Sequence, residues 1–385
     1  MHEKGVNHDG AFSLIWKGKI LPSRVVMLVD FDYFFAQCEE KRNPAIKDKP
    51  VVVGVYSGRS EDSGAVSTAN YVARKYGVKS GIPIFLAKKK LENVDAVFLP
   101  VDHEFYDEVS GKIMEILRGY ADSFEQIGVD EAYMDVSQRV NGDFGDARIL
   151  ALEIKNAVKI REGITCSIGI GPNKLVAKIA SDFQKPDGLT VVKPEEVESF
   201  LAPLPVDNLL GVGRKTVEKM QVLGIATIDD LAKYDVTRLV EVFGKRMGTY
   251  FHEAAFGRDD TPVKERGEVE SISRIATLKE DTQDLMHILE MADRLCEDVY
   301  ARVAQRKIGF KSVSIMAVLM DMSVHSRTKT FEMPAYDLEA LRSAVKELFE
   351  KLLAECELKA RRVGVKVAGF AEAERKQKSL ADFIN

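Results

Sequence analysis

Apolar runs and their spacing divide the chain before any residue chemistry is considered. Residues 25–29 form an apolar run that ends at Asp30, and residues 51–55 form a second one after Pro50; both read as buried strands. Helical periodicity follows over 69–76 and 106–118, then a hairpin over 124–136, a helix over 147–159 and a strand over 165–170. Gly171-Pro172-Asn173 punctuates the entry to a helix reaching Asp182. Strands alternating with helices across long crossovers indicate an α/β or α+β core.

The pattern changes after Pro194. Residues 201–256 read as short helices with glycine breaks, and 261–270 are charged, aperiodic and interrupted by Pro262 and Gly267, as a linker would be. Strand 271–278, helix 284–304, strands 311–321 and 325–331, helix 338–356 and strand 361–370 complete a small β-α-β-β-α-β domain. The tail from 371 is polar until its last few residues, and residues 1–23 show no readable pattern and are expected to be a mobile extension.

Composition changes this picture little. The 385 residues suffice for about two to four domains, and 45% hydrophobic with 30% charged residues is globular. Cys38, Cys166, Cys296 and Cys356 are scattered, which argues against a zinc site or a disulfide framework and fits a reducing compartment. No run suits a signal peptide or a membrane span, so the expected location is cytoplasmic and the expected state a monomer. A net charge of −5 is awkward for a nucleic-acid partner, but basic stretches at 307–311, 327–329 and 359–366 stand apart from acidic ones at 281–298 and 332–350. Separated signs suggest one basic and one acidic face.

Asp30 ends one apolar strand and Asp130-Glu131 lies in another apolar segment. Carboxylates in strands are costly unless they bind something. Adjacent residues on a strand point to opposite faces, so Asp130 and Glu131 converge only where the hairpin twists or bulges. Three hard oxygen ligands suit Mg²⁺, and two such ions about 4 Å apart could activate a hydroxyl and stabilise a leaving pyrophosphate. Spacing alone is a weak signal, and structural carboxylates at strand ends are the more ordinary reading of it.

The wording of the segments narrows the choice. Val29-Asp30-Phe31-Asp32-Tyr33-Phe34-Phe35-Ala36-Gln37 resembles the opening motif of the Y-family DNA polymerases. Val55-Tyr56-Ser57-Gly58-Arg59 with Ser67-Thr68-Ala69-Asn70-Tyr71-Val72-Ala73-Arg74 resembles that family's fingers motif, and Val129-Asp130-Glu131-Ala132-Tyr133 its second metal motif. Cys166-Ser167-Ile168-Gly169-Ile170-Gly171-Pro172-Asn173-Lys174 with Lys185-Pro186-Asp187-Gly188 is similar to its palm signature. The motifs stand in the family's order from about residue 24 to 370, in the manner of the DNA polymerase IV (DinB) branch in its archaeal form.

The resemblance implies an α+β right-hand polymerase: palm 24–33 and 100–192, small fingers 34–99, helical thumb 193–260, linker 261–270, little finger 271–370 and tail 371–385. Asp30, Asp130 and Glu131, with the Phe31 carbonyl, would hold two Mg²⁺ ions. Phe35 would be the steric gate against a ribose hydroxyl, with Phe34 and Arg59 near the nucleotide and Thr68, Tyr71, Arg74 and Lys185 on its triphosphate. Arginine grips phosphate as a fork and lysine as a point charge, and Tyr71 and Arg74, three apart, would share a helical face. Gly128 departs from the family's usual serine, which puts details of primer handling in doubt.

Leu210-Gly211-Val212-Gly213-Arg214-Lys215 reads as a helix-hairpin-helix, whose amides can address a DNA phosphate; a tight turn between packed helices fits the bare pattern too. Arg274, Lys311, Arg327, Lys329, Arg361 and Lys366 are expected on strands facing duplex DNA. Gln377, Leu380, Phe383 and Ile384 resemble the box that binds a sliding clamp of the PCNA type, which would tether the enzyme. The implied activity is template-directed addition of dNTPs to a primer, of low fidelity and without proofreading, in translesion synthesis, repair and replication. A nucleotidyl cyclase and a clamp-bound scaffold without catalysis are the rivals.

Overall fold

The computed structural model describes residues 3–6, 12–16, 19–20, 23–265, 267 and 269–372. The chain forms two compact units, residues 1–53, 67–80 and 91–266 in one and residues 54–66, 81–90 and 267–385 in the other. This division cuts through the segment 34–99 expected to be one set of fingers.

The first unit is built on a five-stranded sheet in the order Leu189–Val191, Cys166–Gly171, Val26–Phe31, Glu131–Asp135, Ser123–Gln126. The first two strands are parallel and the others antiparallel. Alternation along the central strand sorts its residues. Met27, Val29 and Phe31 join a core with Tyr106, Ile113, Ala151 and Ile154 of helices His103–Arg118 and Phe144–Glu162. Val26 and Leu28 lie in a second cluster with Ala177 of helix Lys174–Phe183. Asp30 continues the Val26 and Leu28 series, so it shares the face covered by that helix. Asn173 caps the helix through Val176 N (3.0 Å). Gly169 lets it lie close, because a Cβ there would strike Ala177 O and Ser181 N.

Two expectations change in this unit. The helix expected over 69–76 is present but shorter, a single turn over Tyr71–Arg74, with Ala69 still in the strand Gly64–Ala69. Buried Asn70 enforces the break: its side chain accepts from Ala73 N and Val51 N and donates to Glu40 and Lys49 O. Residues 1–23 contain three short antiparallel strands, Glu3–Val6, Phe12–Trp16 and Lys19–Ile20. The helical segment holds helices Val197–Leu201, Arg214–Val222, Ile228–Ala232 and Val236–Ala255, the last broken where Gly244 takes φ +79°.

The second unit contains an antiparallel sheet in the order Ser271–Thr282, Ala360–Glu372, Ile308–Leu319, Val324–Ala335. Helices Leu285–Arg306 and Leu338–Glu355 pack on one face over Val313, Ile315, Val363 and Val365. The β-α-β-β-α-β order is as expected, with longer strands. Pairing of the first strand with the last shifts register between Thr277 and Thr282.

Because backbone atoms stand where a Gly169 side chain would go, Gly169→Ala should destabilise the first unit by about 3 kcal/mol. Chemical denaturation of the full chain would measure this, and an unchanged midpoint would show that the helix can move aside.

Candidate active site

Asp30 and Glu131 lie directly opposite each other on neighbouring strands and therefore on one face. Asp130 is not in a strand. It precedes Glu131 in the bend of the hairpin, and its carbonyl accepts from Phe31 N at 2.8 Å. That bend resolves the alternation problem, since a residue outside the ladder is free of the two-residue period. Among the described residues no three His, Cys, Asp or Glu side chains are arranged as they stand to hold a metal ion.

Ammonium groups account for this. Lys178 Nζ, from the covering helix, lies 2.5 Å from Glu131 Oε2 and 3.3 Å from Asp30 Oδ2. Lys185 Nζ lies 2.7 Å from both Asp30 Oδ2 and Asp182 Oδ1. Burial disfavours the charge on each lysine, yet Asp30 and the adjoining carboxylates outweigh it and raise both pKa values. The Asp130 carboxyl is also pushed up, by burial first and then by the charges of Asp30 and Glu131. The three carboxylates thus sit close enough to repel, and cations already neutralise part of their charge. This donor set fits a hard divalent ion, for which the two ammonium groups stand in.

The phosphate-binding candidates of the first unit gather beside this cluster. The hydroxyl of half-buried Tyr71 is raised by burial, lowered by Arg74 and Lys185, and raised by Asp32 and Asp30. The Arg74 guanidinium lies 4.6 Å over the Tyr71 ring, and its Nε donates to Ala69 O at 2.9 Å. Thr68 is half-exposed on the preceding strand. The Phe35 ring stacks on Tyr106 at 4.4 Å, with His103 at its edge. Phe34 turns its ring into the core, at 2% exposure, which leaves no side-chain surface for a nucleotide. Gly128 lies close against the carboxylates: a Cβ there would stand 3.1 Å from Asp130 Oδ1 and 3.2 Å from Glu131 Cγ, tighter than an ordinary contact.

Arg59 belongs to the second unit and is engaged there. Its guanidinium donates to Leu278 O (2.7 Å), Arg361 O (3.4 Å) and the Asp281 carboxylate. Leu278 and Arg361 lie at the register shift between the first and last strands of this sheet.

Gly211, at φ +81°, and Gly213, the N-cap of helix Arg214–Val222, form the expected turn, with Arg214 and Lys215 exposed beyond it. The six C-terminal cations do not share one face. Lys329 and Arg327 lie opposite buried Val313 and Ile315, on the helix side, and pair with Glu347 and Glu355. Arg274 lies opposite buried Val365, also on the helix side. Lys311 and Arg361 stand at irregularities, Arg361 3.6 Å from Asp281. Lys366 alone of the six is on the open face, opposite Ser273 and Ser314. Ser312, Ser314, Ser326, Thr328 and Thr330 line that face; the alternation of Ser and Thr in these strands carried that signal, whereas the expectation followed the cations. Lys178 was missed as well, though it stands four residues after Lys174 on the same helix. Gln377, Leu380, Phe383 and Ile384 lie outside the described residues.

Residues 29–182 match the impB/mucB/samB family, residues 269–380 that family's C-terminal domain, and residues 207–259 the thumb domain of DNA polymerase-iota. The DNA polymerase IV of Nitrosopumilus maritimus is 47% identical over 355 residues, 92% of this chain and 98% of the relative. That of Saccharolobus solfataricus is 42% identical over 349 residues, 91% of this chain and 97% of the relative. Among solved structures, the Y-family DNA polymerase chimera Dbh-Dpo4(243-245)-Dbh has a TM-score of 0.85 at 35% identity, covering 91% of this chain and 100% of the other. The insertion ternary complex of Dbh DNA polymerase has a TM-score of 0.65, with the same identity and coverage.

In the metal-free protein the Asp130 carboxyl should take up its proton at a higher pH than an ordinary aspartate. A folded-state pKa above the unfolded one means that this group favours folding at acid pH and that its contribution is lost as pH rises through the folded value. Carboxyl-detected NMR, with Asp130→Asn to assign the resonance, would test this; a midpoint at or below the ordinary range would contradict it.

Proposed function

The chain belongs to the DNA polymerase IV branch of the Y-family DNA polymerases and is a DNA-directed DNA polymerase of translesion synthesis, and we propose that Asp30, Asp130 and Glu131 carry its chemistry with two Mg²⁺ ions. The observation that supports this most is the cross-strand pair Asp30–Glu131, with Asp130 beside it and lysine ammonium groups balancing the charge. Bound metal would lower the pKa of the primer hydroxyl and neutralise charge on the leaving pyrophosphate. The Phe31 carbonyl is a further candidate oxygen ligand.

The remaining roles fall to this chain's own groups. Lys185, Arg74, Tyr71 and Thr68 bind and orient the triphosphate, Arg74 as a fork and Lys185 as a point charge. Phe35, backed by Tyr106, occupies the volume of a ribose 2′-hydroxyl. Arg59, expected near the nucleotide, is held within the second unit by its acceptors near Asp281. The amides after Gly211 and Gly213, with Arg214 and Lys215, hold a DNA phosphate. The open sheet face, with its hydroxyls and Lys366, follows the duplex backbone; neutral and cationic donors there give affinity without sequence preference. Arg274, Lys311, Arg327, Lys329 and Arg361 add field more than contact. Low fidelity is what the family implies, and the Gln377, Leu380, Phe383 and Ile384 box would bind a PCNA-type clamp.

Primer extension with Mg²⁺ and single dNTPs tests the assignment. Asp130→Asn should lower template-matched addition by about 10³-fold, since a metal-held transition-state charge amounts to several kcal/mol. Retained activity would place the metal site elsewhere. Phe35→Ala should admit ribonucleotides while keeping dNTP addition, and continued exclusion of rNTPs would deny Phe35 the gate.

A further inference from the structure

Asp32 stands two residues beyond Asp30 but outside its chemistry. It is 1% exposed, and both its oxygens are taken by protein donors. Oδ1 accepts from Ser167 Oγ at 2.7 Å, and Oδ2 accepts from Thr165 Oγ1 and from the Asp187 amide, each at 2.9 Å. A buried carboxylate persists only with such donors, and one so saturated has little capacity for a metal ion.

The Asp187 amide is the informative partner. Asp187 sits at φ +53°, a left-handed conformation that aspartate tolerates more than it prefers. The next amide, Gly188 N, donates to Ser167 Oγ at 3.1 Å, the same hydroxyl that donates to Asp32. Lys155 Nζ holds the loop from another side, 2.6 Å from Asp187 Oδ1 and 3.2 Å from Gly188 O. Residues 187 and 188 are thus pinned by Asp32, Ser167 and Lys155. Just upstream the loop carries Lys185, whose ammonium reaches Asp30.

We propose that Asp32 is a positioning residue for nucleotide binding, which fixes the Asp187 amide and thereby aims Lys185 at the triphosphate. The inference rests on the reading that Lys185 binds the nucleotide. An ammonium carried on a fixed loop costs little ordering when the triphosphate arrives, whereas a loosened loop must be ordered at each binding event. The effect therefore falls on nucleotide affinity, not on metal affinity or on the rate from the fully bound state. Asp32→Asn keeps the shape but removes the charge that strengthens its hydrogen bonds.

The test measures dNTP affinity by equilibrium binding to the full chain on a primer–template with a 3′-dideoxy end, and KM and kcat by extension of an ordinary primer. Asp32→Asn should weaken dNTP affinity and raise KM by about tenfold, with kcat at saturating dNTP within about twofold. Calorimetric Mn²⁺ affinity should not change. In a Lys185→Ala background the same substitution should add nothing further. Unchanged dNTP affinity, an equal loss in both backgrounds, or a fall in Mn²⁺ affinity would each overturn the proposal. Should Asp32→Asn fail to fold, Ser167→Ala breaks the hydroxyl link between Asp32 and Gly188 N and takes its place in every comparison, where the same results support or overturn the proposal. Wild-type protein that binds dNTP but does not extend would refute the polymerase mechanism instead, and leave the Asp32 comparison to be decided by binding.

Discussion

Two carboxylates facing each other in the middle of a sheet are the constraint on which the first unit is organised. Like charges opposite one another on neighbouring strands repel, and Asp30 and Glu131 stand in that relation with Asp130 adding a third charge nearby. The repulsion is held by cations that only close packing can deliver. Gly169 removes a side chain where helix Lys174–Phe183 crosses the sheet, and the approach brings Lys178 onto both carboxylates. Exposed ion pairs such as Lys233–Asp229 contribute little, because solvent screens them. Lys178 is different in kind: it is largely enclosed, and stranding a buried charge by removing its partners costs about 3–5 kcal/mol.

Where the sequence could be read, a local rule was sufficient. The apolar run ending at Asp30 needed only composition, and the β-α-β-β-α-β order of the C-terminal domain needed only periodicity and length. The hairpin bearing Asp130 and Glu131 was visible, but not that its bend runs through Asp130, because a bend is set by the partner strand: Phe31 N donates to the Asp130 carbonyl. The helix expected over 69–76 starts later than expected for a related reason. Asn70 looks like any polar residue until its four hydrogen bonds to distant backbone and side-chain groups are known.

The C-terminal strands show how one unobserved register changes chemistry. Ser326, Thr328 and Thr330 alternate with Arg327 and Lys329, so choosing the cations chose the face that the helices cover. The buried series Val313, Ile315 and Ala317 on the neighbouring strand decides the matter, but only once the strands are paired. Arg59 is harder still to foresee. Its acceptors are two backbone carbonyls and the Asp281 carboxylate beside a register shift far along the chain, which no local pattern announces.

Lys185 brings the electrostatics and the backbone together. Its ammonium serves partners that cannot all hold it at once: Asp30 and Asp182 in the structure, and a triphosphate in the proposed reaction. Exchange among them requires a head group free to turn about its own stem, and a base that does not move with it. Its ammonium is shared between two carboxylates, while the residues just downstream are fixed by Asp32, Ser167 and Lys155. Rigidity is thus placed in the backbone and freedom in the last few carbon–carbon bonds of one lysine, which keeps the cost of exchange small. It also explains why a second carboxylate follows so soon after Asp30: the first is spent on charge that changes hands, the second on holding still the loop from which that charge is delivered.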